Sequence, residues 1–459
     1  VKQREKTELE DFALRGMHLA KMTGVSVATH AMSDGFLLMH TGVGCKYKAA
    51  AQVAQHDWAK HPNRREAWTQ VGEVALIKGS GERIGPFARS WYERRRPGFM
   101  GVVSAYFIEL TGEDIRDLVA DTAKSLPCPM GVIHTAAPNG GFFDGYATTM
   151  LEVLKSMDWK QPSTKPKSAS TLGFFFHRYE PDLKADVAQV RQLVKASGLE
   201  SGPVFFSGAP YAELAEGPQS QVVIQLPYLN PVERKLKRVL KKRDVVKLDL
   251  PIGIAGTSRF VRELTAATGG NTALAEAWIK KRVDAVRPHF SHVTTNFHGL
   301  RVCLFADAPL AAGLASLLRE MGARIALIGL RDRVTGGEHE LRRVVEANGL
   351  ELGEDCEVLV EPSLMTMRKR VLALAEAQEI HAVIGSSIEL GVLSEAASVR
   401  GASGRTALIE TGFPSKDHHC ALAAPTFGYS GALVWAQRVL DAVMTPKLGL
   451  RGFGTTGGH

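Results

Sequence analysis

Cysteine is scarce in this sequence. Five residues (Cys45, Cys128, Cys303, Cys356 and Cys420) are scattered over 459 positions. An odd, dispersed set argues against a disulfide scaffold and fits a reducing, cytoplasmic compartment. No CxxC or CxxxC pair occurs, so the chain cannot enclose an iron–sulfur cluster by itself with a common cysteine spacing. Long apolar runs are missing too, and no membrane span is expected. The charged start VKQREKTELEDF does not read as a signal peptide. No GxxxxGK[ST] loop is present, which excludes ATP hydrolysis by the P-loop route. No GxGxxG stands between a strand and a helix, and no Ser/His/Asp arrangement is recognisable by spacing. Charge of one sign is also lacking: 56 Lys and Arg face 48 Asp and Glu, for a net charge of +8. The longest basic run, Arg234–Lys242, has no aromatic residue between its charges. It reads as a solvated helix face, and no nucleic-acid partner is expected.

What is present is an alternation of short apolar runs and amphipathic stretches. Apolar residues make up 45% of the chain, enough for sizeable cores. Strand–helix–strand repetition predicts an α/β fold of three Rossmann-like domains with parallel sheets. The domains are expected at residues 1–165, 166–298 and 299–459. Expected strands include Val71–Ile77, Gly101–Phe107, Met130–His134, Thr171–Phe176, Arg301–Phe305 and Arg324–Gly329. Lys160–Ser170 reads as a linker and the tail GLRGFGTTGGH as a mobile end. Parallel sheets bind ligands beyond their strand C-termini. Attention therefore falls on the Gly-rich loops GVGC, GSGERIG, AAPNGG, GSS and ETGFP.

Cys45, in His40–Lys48 (HTGVGCKYK), is the candidate for chemistry. Gly42 and Gly44 permit close backbone approach and unusual φ values. Lys46 and Lys48 favour an anionic sulfur ahead of an expected helix Lys48–Trp58. Such a thiolate suits cluster ligation or nucleophilic chemistry; an inert, packed thiol is the plain alternative. A cluster needs about four ligands, so the others would come from a second subunit. Cys128 and Cys303 read as packed small apolar residues and Cys356 as structural or exposed. Asp417, His418, His419 and Cys420 are adjacent and cannot easily all face one ion, so a hydrogen-bond network is expected there. His40 and Tyr47 flank Cys45 and could tune it or simply pack. Asp34, Glu73 and Glu109 are carboxylates near loops that spacing alone does not pair.

Four segments, HTGVGCKY, ELTGEDIRDLV, LDLPIGIAGTSRFVREL and ETGFPSKDHHCALAAPTFGYSGALVWAQRVL, together resemble the large-subunit family of nitrogenase component 1. The last is more similar to the β-type subunit than to the α-type. The resemblance spans nearly the whole chain. It implies an α-type large subunit as partner in an α2β2 heterotetramer, and an ATP-dependent iron–sulfur reductase that delivers low-potential electrons. Cys45 falls on the family's first cluster-cysteine position. The second position falls near Glu66–Gln70 and the third at Tyr106, where this chain has no cysteine; the serine of some β-subunits falls near Gly141. Glu66, Gln70 and Glu73 are weak substitutes. The pattern implies a single thiolate given to a [4Fe–4S] cluster shared with the α partner. A larger P-type cluster, and an additional iron–sulfur cofactor in the α partner, are also possible within the family. The family's cofactor histidine would fall near Phe427, so no active-site cofactor is assigned to this chain.

The expected role is an electron-transferring β-type subunit of a nitrogenase-like reductase, for which carbon–sulfur bond reduction, as by a methylthio-alkane reductase, is one substrate class. The absence of a large C-terminal extension argues against the protochlorophyllide type. Alternatives are a cofactor-assembly scaffold, a chlorophyllide-type tetrapyrrole reductase subunit and a non-redox Rossmann-like enzyme.

Overall fold

The computed structural model describes residues 19–54, 56–57, 65–135, 140–333, 335–377, 379–394, 400–401 and 404–451. The N-terminal VKQREKTELEDF, Trp58, residues 136–139 of the AAPNGG loop and the tail from residue 452 lie outside that set.

Three parallel sheets organise the described residues. The first holds β1 (Gly35–His40), β2 (Glu66–Trp68), β3 (Phe99–Ser104) and β4 (Met130–His134) in the order β2-β1-β3-β4. The second holds β5 (Lys165–Leu172), β6 (Glu200–Val204), β7 (Ser220–Gln225) and β8 (Asp244–Lys247) in the order β6-β5-β7-β8. The third holds β9 (Arg301–Ala306), β10 (Arg324–Leu330), β11 (Glu357–Val360) and β12 (Ala382–Gly385). After an antiparallel ribbon, β13 (Arg400–Gly401) and β14 (Gly404–Arg405), it is completed by β15 (Ala407–Glu410), giving β11-β10-β9-β12-β15. The α/β, parallel-sheet expectation is met. The central strands β1 and β3 are buried along their whole length. Strands covered on both faces carry continuous apolar runs such as FLLM for that reason.

The chain forms two compact units. One comprises residues 19–187 and 198–248 and contains the first two sheets; the other comprises residues 188–197 and the chain from 249 onward, with the third sheet. In the first unit, the helix Phe142–Lys155 places Tyr146 between the sheets. Its fully buried hydroxyl donates to the Phe174 carbonyl (3.0 Å) and accepts from the Phe176 N–H (2.9 Å). Phe175 packs edge-on against Phe142, Phe143 and Tyr146.

Local expectations fail in five places, one of them Thr171–Phe176, where β5 ends at Leu172 and Gly173 turns the chain at φ 79°. Val71–Ile77 is no strand: a turn leads into the helix Glu73–Lys78. Its short apolar run cannot be told from a strand by periodicity. The expected strand Gly101–Phe107 is β3, which stops at Ser104, and Tyr106–Glu109 is helical. The expected linker Lys160–Ser170 contains the exposed start of β5, because Ser168, Ala169 and Ser170 are drawn into the sheet. Finally, a helix begins at Val43 rather than at Lys48 and ends at Val53.

Candidate functional site

The helix Val43–Val53 decides the setting of Cys45. β1 delivers the chain to the C-terminal edge of the first sheet, where Thr41 and Gly42 turn it directly into that helix. Gly42 has ordinary extended angles (φ −79°, ψ 175°), so unusual φ is not its purpose. Close approach is: a Cβ there would lie 3.2 Å from the Val71 carbonyl oxygen. At Gly44 a Cβ would meet nothing within 4 Å. Cys45 therefore sits in the first helical turn, beside open space and at the positive end of the helix dipole.

Cys45 is half-buried. It packs with Trp68, Ala75, Leu76 and Phe107 on a core that includes Met39, Val71, Val103 and Ile108. The Lys46 ammonium lies 3.4 Å from the centre of the Trp68 ring, a cation–π contact. Around this position the surface is unusually apolar. Tyr47 is 74% and Ile77 86% exposed, and Val43, Val74, Tyr106 and Leu110 are exposed as well. All six belong to the elements entered from β1, β2 and β3 at the same sheet edge. Grouped apolar exposure of this kind marks an interaction surface.

Beneath it lies a polar network. His40, at the end of β1, is fully buried. Its Nδ1 is 2.9 Å from Thr69 Oγ1 and its Nε2 is 2.9 Å from Ser80 Oγ. Ser80 Oγ in turn donates to Glu113 Oε2 (2.7 Å). Glu113 Oε1 accepts the backbone N–H groups of Ser80 (2.7 Å) and Gly81 (2.5 Å). Burial holds the His40 pKa below the ordinary imidazole value, outweighing the nearby Glu113 charge. Burial raises the Glu113 carboxyl, but the Ser80 hydroxyl and the two N–H groups more than offset it, and its pKa falls. Two further hydroxyls on this edge, Thr41 Oγ1 and Ser104 Oγ, are buried without a hydrogen-bond partner among the described residues.

The similarity to known proteins covers this whole frame. The family described as nitrogenase component 1 type oxidoreductase matches residues 20–444. The chain belongs to that family. It is 21% identical over 435 residues to the nitrogenase molybdenum-iron protein beta chain of Bradyrhizobium diazoefficiens, covering 88% of this chain and 79% of the relative. Identity to the beta chain of Azotobacter vinelandii is 22% over 401 residues, covering 81% and 73%. The solved structure titled "Nitrogenase Cp1 at pH 6.5" superposes with a TM-score of 0.77 at 17% identity, covering 96% of both chains. Within that family the chain is beta-chain-like. No helix among the described residues is long and apolar enough to cross a membrane.

In this nitrogenase-like subunit the other singled-out residues fall in different places. Glu66 is buried on β2, where Ser26 Oγ donates to its Oε2 (3.1 Å). Gln70 is exposed and left-handed (φ 55°), and Glu73 is exposed at the start of its helix. Tyr106 opens the helix after β3, and Gly141 caps the helix Phe142–Lys155. Asp34 lies before β1, away from this edge, and accepts the Tyr211 N–H (2.8 Å). Glu109 accepts the Thr135 N–H (2.6 Å). Burial pushes the thiols of Cys128 and Cys356 up to about 11 and Cys303 up to about 12, which makes them poor nucleophiles. Phe427 is buried.

The Asp417–Cys420 run is organised by hydrogen bonds. The Glu410 carboxylate gathers Ser415 Oγ (2.9 Å) and the N–H groups of Lys416 (3.0 Å), Asp417 (3.0 Å) and His418 (2.6 Å). Cys420 Sγ lies 3.5 Å from His418 Nε2.

Ser80 and Glu113 were not singled out from sequence, although they are central to the network. The available signal was the GSG turn. Gly79 has φ +91°, and a Cβ at Gly81 would lie 3.0 Å from Glu113 Oε1.

Proposed function

We propose that this chain is the electron-transferring β-type subunit of a nitrogenase-like reductase and that Cys45 gives one thiolate to an iron–sulfur cluster shared with an α-type partner. The observation that carries this reading is the setting of Cys45: a half-buried sulfur in a first helical turn, ringed by exposed apolar side chains. The donor set fits such a group. One sulfur is offered beside open space at Gly44, and the unpartnered Thr41 and Ser104 hydroxyls supply polar atoms in an otherwise dry edge. A buried hydroxyl without a partner costs about 1–3 kcal/mol, a cost that an added acceptor or water would remove.

When bound, the cluster would supply reversible one-electron transfer at a potential set by its ligands and burial. The chain's own residues then have separable tasks. Cys45 anchors. The helix dipole behind it favours negative charge. Val43, Tyr47, Val74, Ile77, Tyr106 and Leu110 would bury against the α-type subunit and exclude water. The reductase partner would supply ATP-driven electrons, and the substrate site would lie mainly in the α-type subunit. Carbon–sulfur bond reduction is the substrate class we favour, because only the first of the family's three cysteine positions is filled.

The test is anaerobic co-purification with the α-type partner, with iron analysis and electron paramagnetic resonance of the reduced complex. About four irons per αβ pair and a spin-half signal are expected, both lost in Cys45→Ala. Retention of iron and signal in that variant overturns the reading. Iron that leaves the complex and activates another enzyme would instead mark an assembly scaffold.

A further inference from the structure

We infer that His40 is the positioning residue for Cys45: held between Thr69 and the Ser80–Glu113 pair, it fixes the turn that presents the sulfur. The inference deepens the reading of Cys45 as a cluster ligand and rests on it.

The hydrogen-bond chemistry has one consistent solution. The single Ser80 hydroxyl proton goes to the Glu113 carboxylate at 2.7 Å, so Ser80 Oγ can only accept from His40. Nε2 therefore carries the imidazole proton. Nδ1 is then a lone pair, and it accepts the Thr69 hydroxyl proton at 2.9 Å. Donors and acceptors alternate without conflict along Thr69, His40, Ser80 and Glu113. A neutral imidazole satisfies every member, and the lowered His40 pKa agrees with that state.

The connectivity gives this chain of bonds its purpose. His40 ends β1 and stands five residues before Cys45. Thr69 follows β2, Ser80 follows the helix Glu73–Lys78, and Glu113 follows the short helix after β3. One imidazole thus ties together the three connections that line the open edge of the sheet. Backbone bonds complete the clamp: Thr69 N–H to Met39 O (3.0 Å), Val71 N–H to Thr41 O (3.1 Å) and Ala105 N–H to His40 O (3.0 Å). With Thr41 held from one side and Gly42 so near the Val71 carbonyl that an added Cβ would lie 3.2 Å from its oxygen, the helix starts at one residue and Cys45 takes one place in its first turn. The side chains lie 29, 40 and 33 residues apart along the network, and the exposed apolar rim above them contributes no such restraint.

The experiment reads this positioning without any cluster. The full-length chain is treated with a maleimide under native conditions, and labelling is mapped by peptide mass. Cys356, also half-buried but in the other unit, is the internal control. Thr69→Val removes the hydroxyl and keeps the shape; Thr69→Ser restores it; Ser80→Ala breaks the other side. Loss of one buried hydrogen bond should raise the Cys45 labelling rate about five- to tenfold through more frequent local opening. Thr69→Ser should return to the parent rate, and Cys356 should not change. Equal Cys45 rates in all four chains overturn the proposal. So does a parallel rise at Cys45 and Cys356, which would mean general loosening. In the iron-loaded complex, Thr69→Val should shift the g-values of the reduced signal and Thr69→Ser should not; an unshifted signal also overturns the proposal. Failure of the cluster reading would instead appear as iron retained in Cys45→Ala, which leaves the labelling result standing.

Discussion

The first and third sheets are both doubly wound and parallel, yet their C-terminal edges are finished in opposite ways. In the third sheet, the strand order reverses between β9 and β12, the place where such folds usually open a ligand crevice. Here the chain closes it with its own residues. Arg331, after β10, makes a two-pronged pair with Glu389 (2.9 and 2.8 Å) and donates to the Phe413 carbonyl. Glu389 also completes a capping box with Ser386. Ser387 Oγ and N–H both donate to the Pro414 carbonyl (2.7 and 3.0 Å). Among the described residues the first sheet has no such plug over its apolar rim; it has a hydrogen-bonded polar base beneath and exposed apolar side chains above. The same architecture carries an ion-paired, hydrogen-bonded edge in one unit and an exposed apolar edge in the other. A polar edge that satisfies its own groups needs no partner, whereas an apolar edge is stabilised only when covered.

The sharpest way to break the comparison is a pair of truncations. Phe413→Ala, at a site 1% exposed, should cost about 3–5 kcal/mol of stability by chemical denaturation. Ile77→Ala, on the open edge, should change the stability of the free chain by less than about 0.5 kcal/mol. The same Ile77 change should weaken association with the α-type partner about tenfold in a binding titration, as expected for loss of a central apolar contact. Comparable destabilisation by both substitutions would erase the distinction. Next in size is Arg331→Met, which leaves the Glu389 carboxylate buried and unpaired. It should cost about 3 kcal/mol in the same assay.

Buried groups of the two units also differ in their response to pH. In the third-sheet unit, burial raises Glu320 from 4.5 to about 7, although it accepts the Ile254 and Ala255 N–H groups at 2.8 Å. Burial, followed by the Asp307 charge, raises Asp332 to about 6. A carboxyl whose folded pKa is raised weakens the fold as pH climbs from its unfolded value through its folded one. The loss therefore runs from about pH 4.5 to 7 for Glu320, and is complete above that window. Glu320→Gln should gain on the parent by roughly 2–3 kcal/mol between pH 5 and pH 8 in thermal melts. In the first-sheet unit the signs reverse. His40 and Glu113 have lowered pKa values, so their contributions are present at neutral pH and lost as pH falls. A small effect is also expected for Lys46→Met. Losing the ammonium over Trp68 should cost about 0.5–1 kcal/mol, read by tryptophan-detected unfolding.

Sequence patterning made the strands legible where burial on both faces demands an apolar run, as in Arg301–Ala306, and where half-buried and buried residues alternate, as in Met130–His134. It made Cys45 legible because glycines flank it. It failed where two periods fit one run, as at Val71–Ile77. It also failed where a helix starts without a capping side chain, as at Gly42. The network under Cys45 was hidden for a different reason. His40 ends β1, Thr69 and Ser80 follow β2 and Glu113 follows β3, and only the parallel pairing of β2, β1 and β3 brings them together.

The division of the chain into units has a consequence for synthesis. Residues 188–197 belong with the unit that begins again at 249, and Val190, Leu193 and Val194 are fully buried there. On the ribosome this helical segment emerges well before its sequence-distant partners, such as Val261, 64 residues beyond Ser197, whose carbonyl accepts from Ser197 Oγ. The nascent chain therefore carries an uncovered apolar stripe while the unit around it closes. A fragment cut at residue 248 would lack the part of the chain that completes this unit, so it is expected to be less stable than the full-length protein when expressed alone.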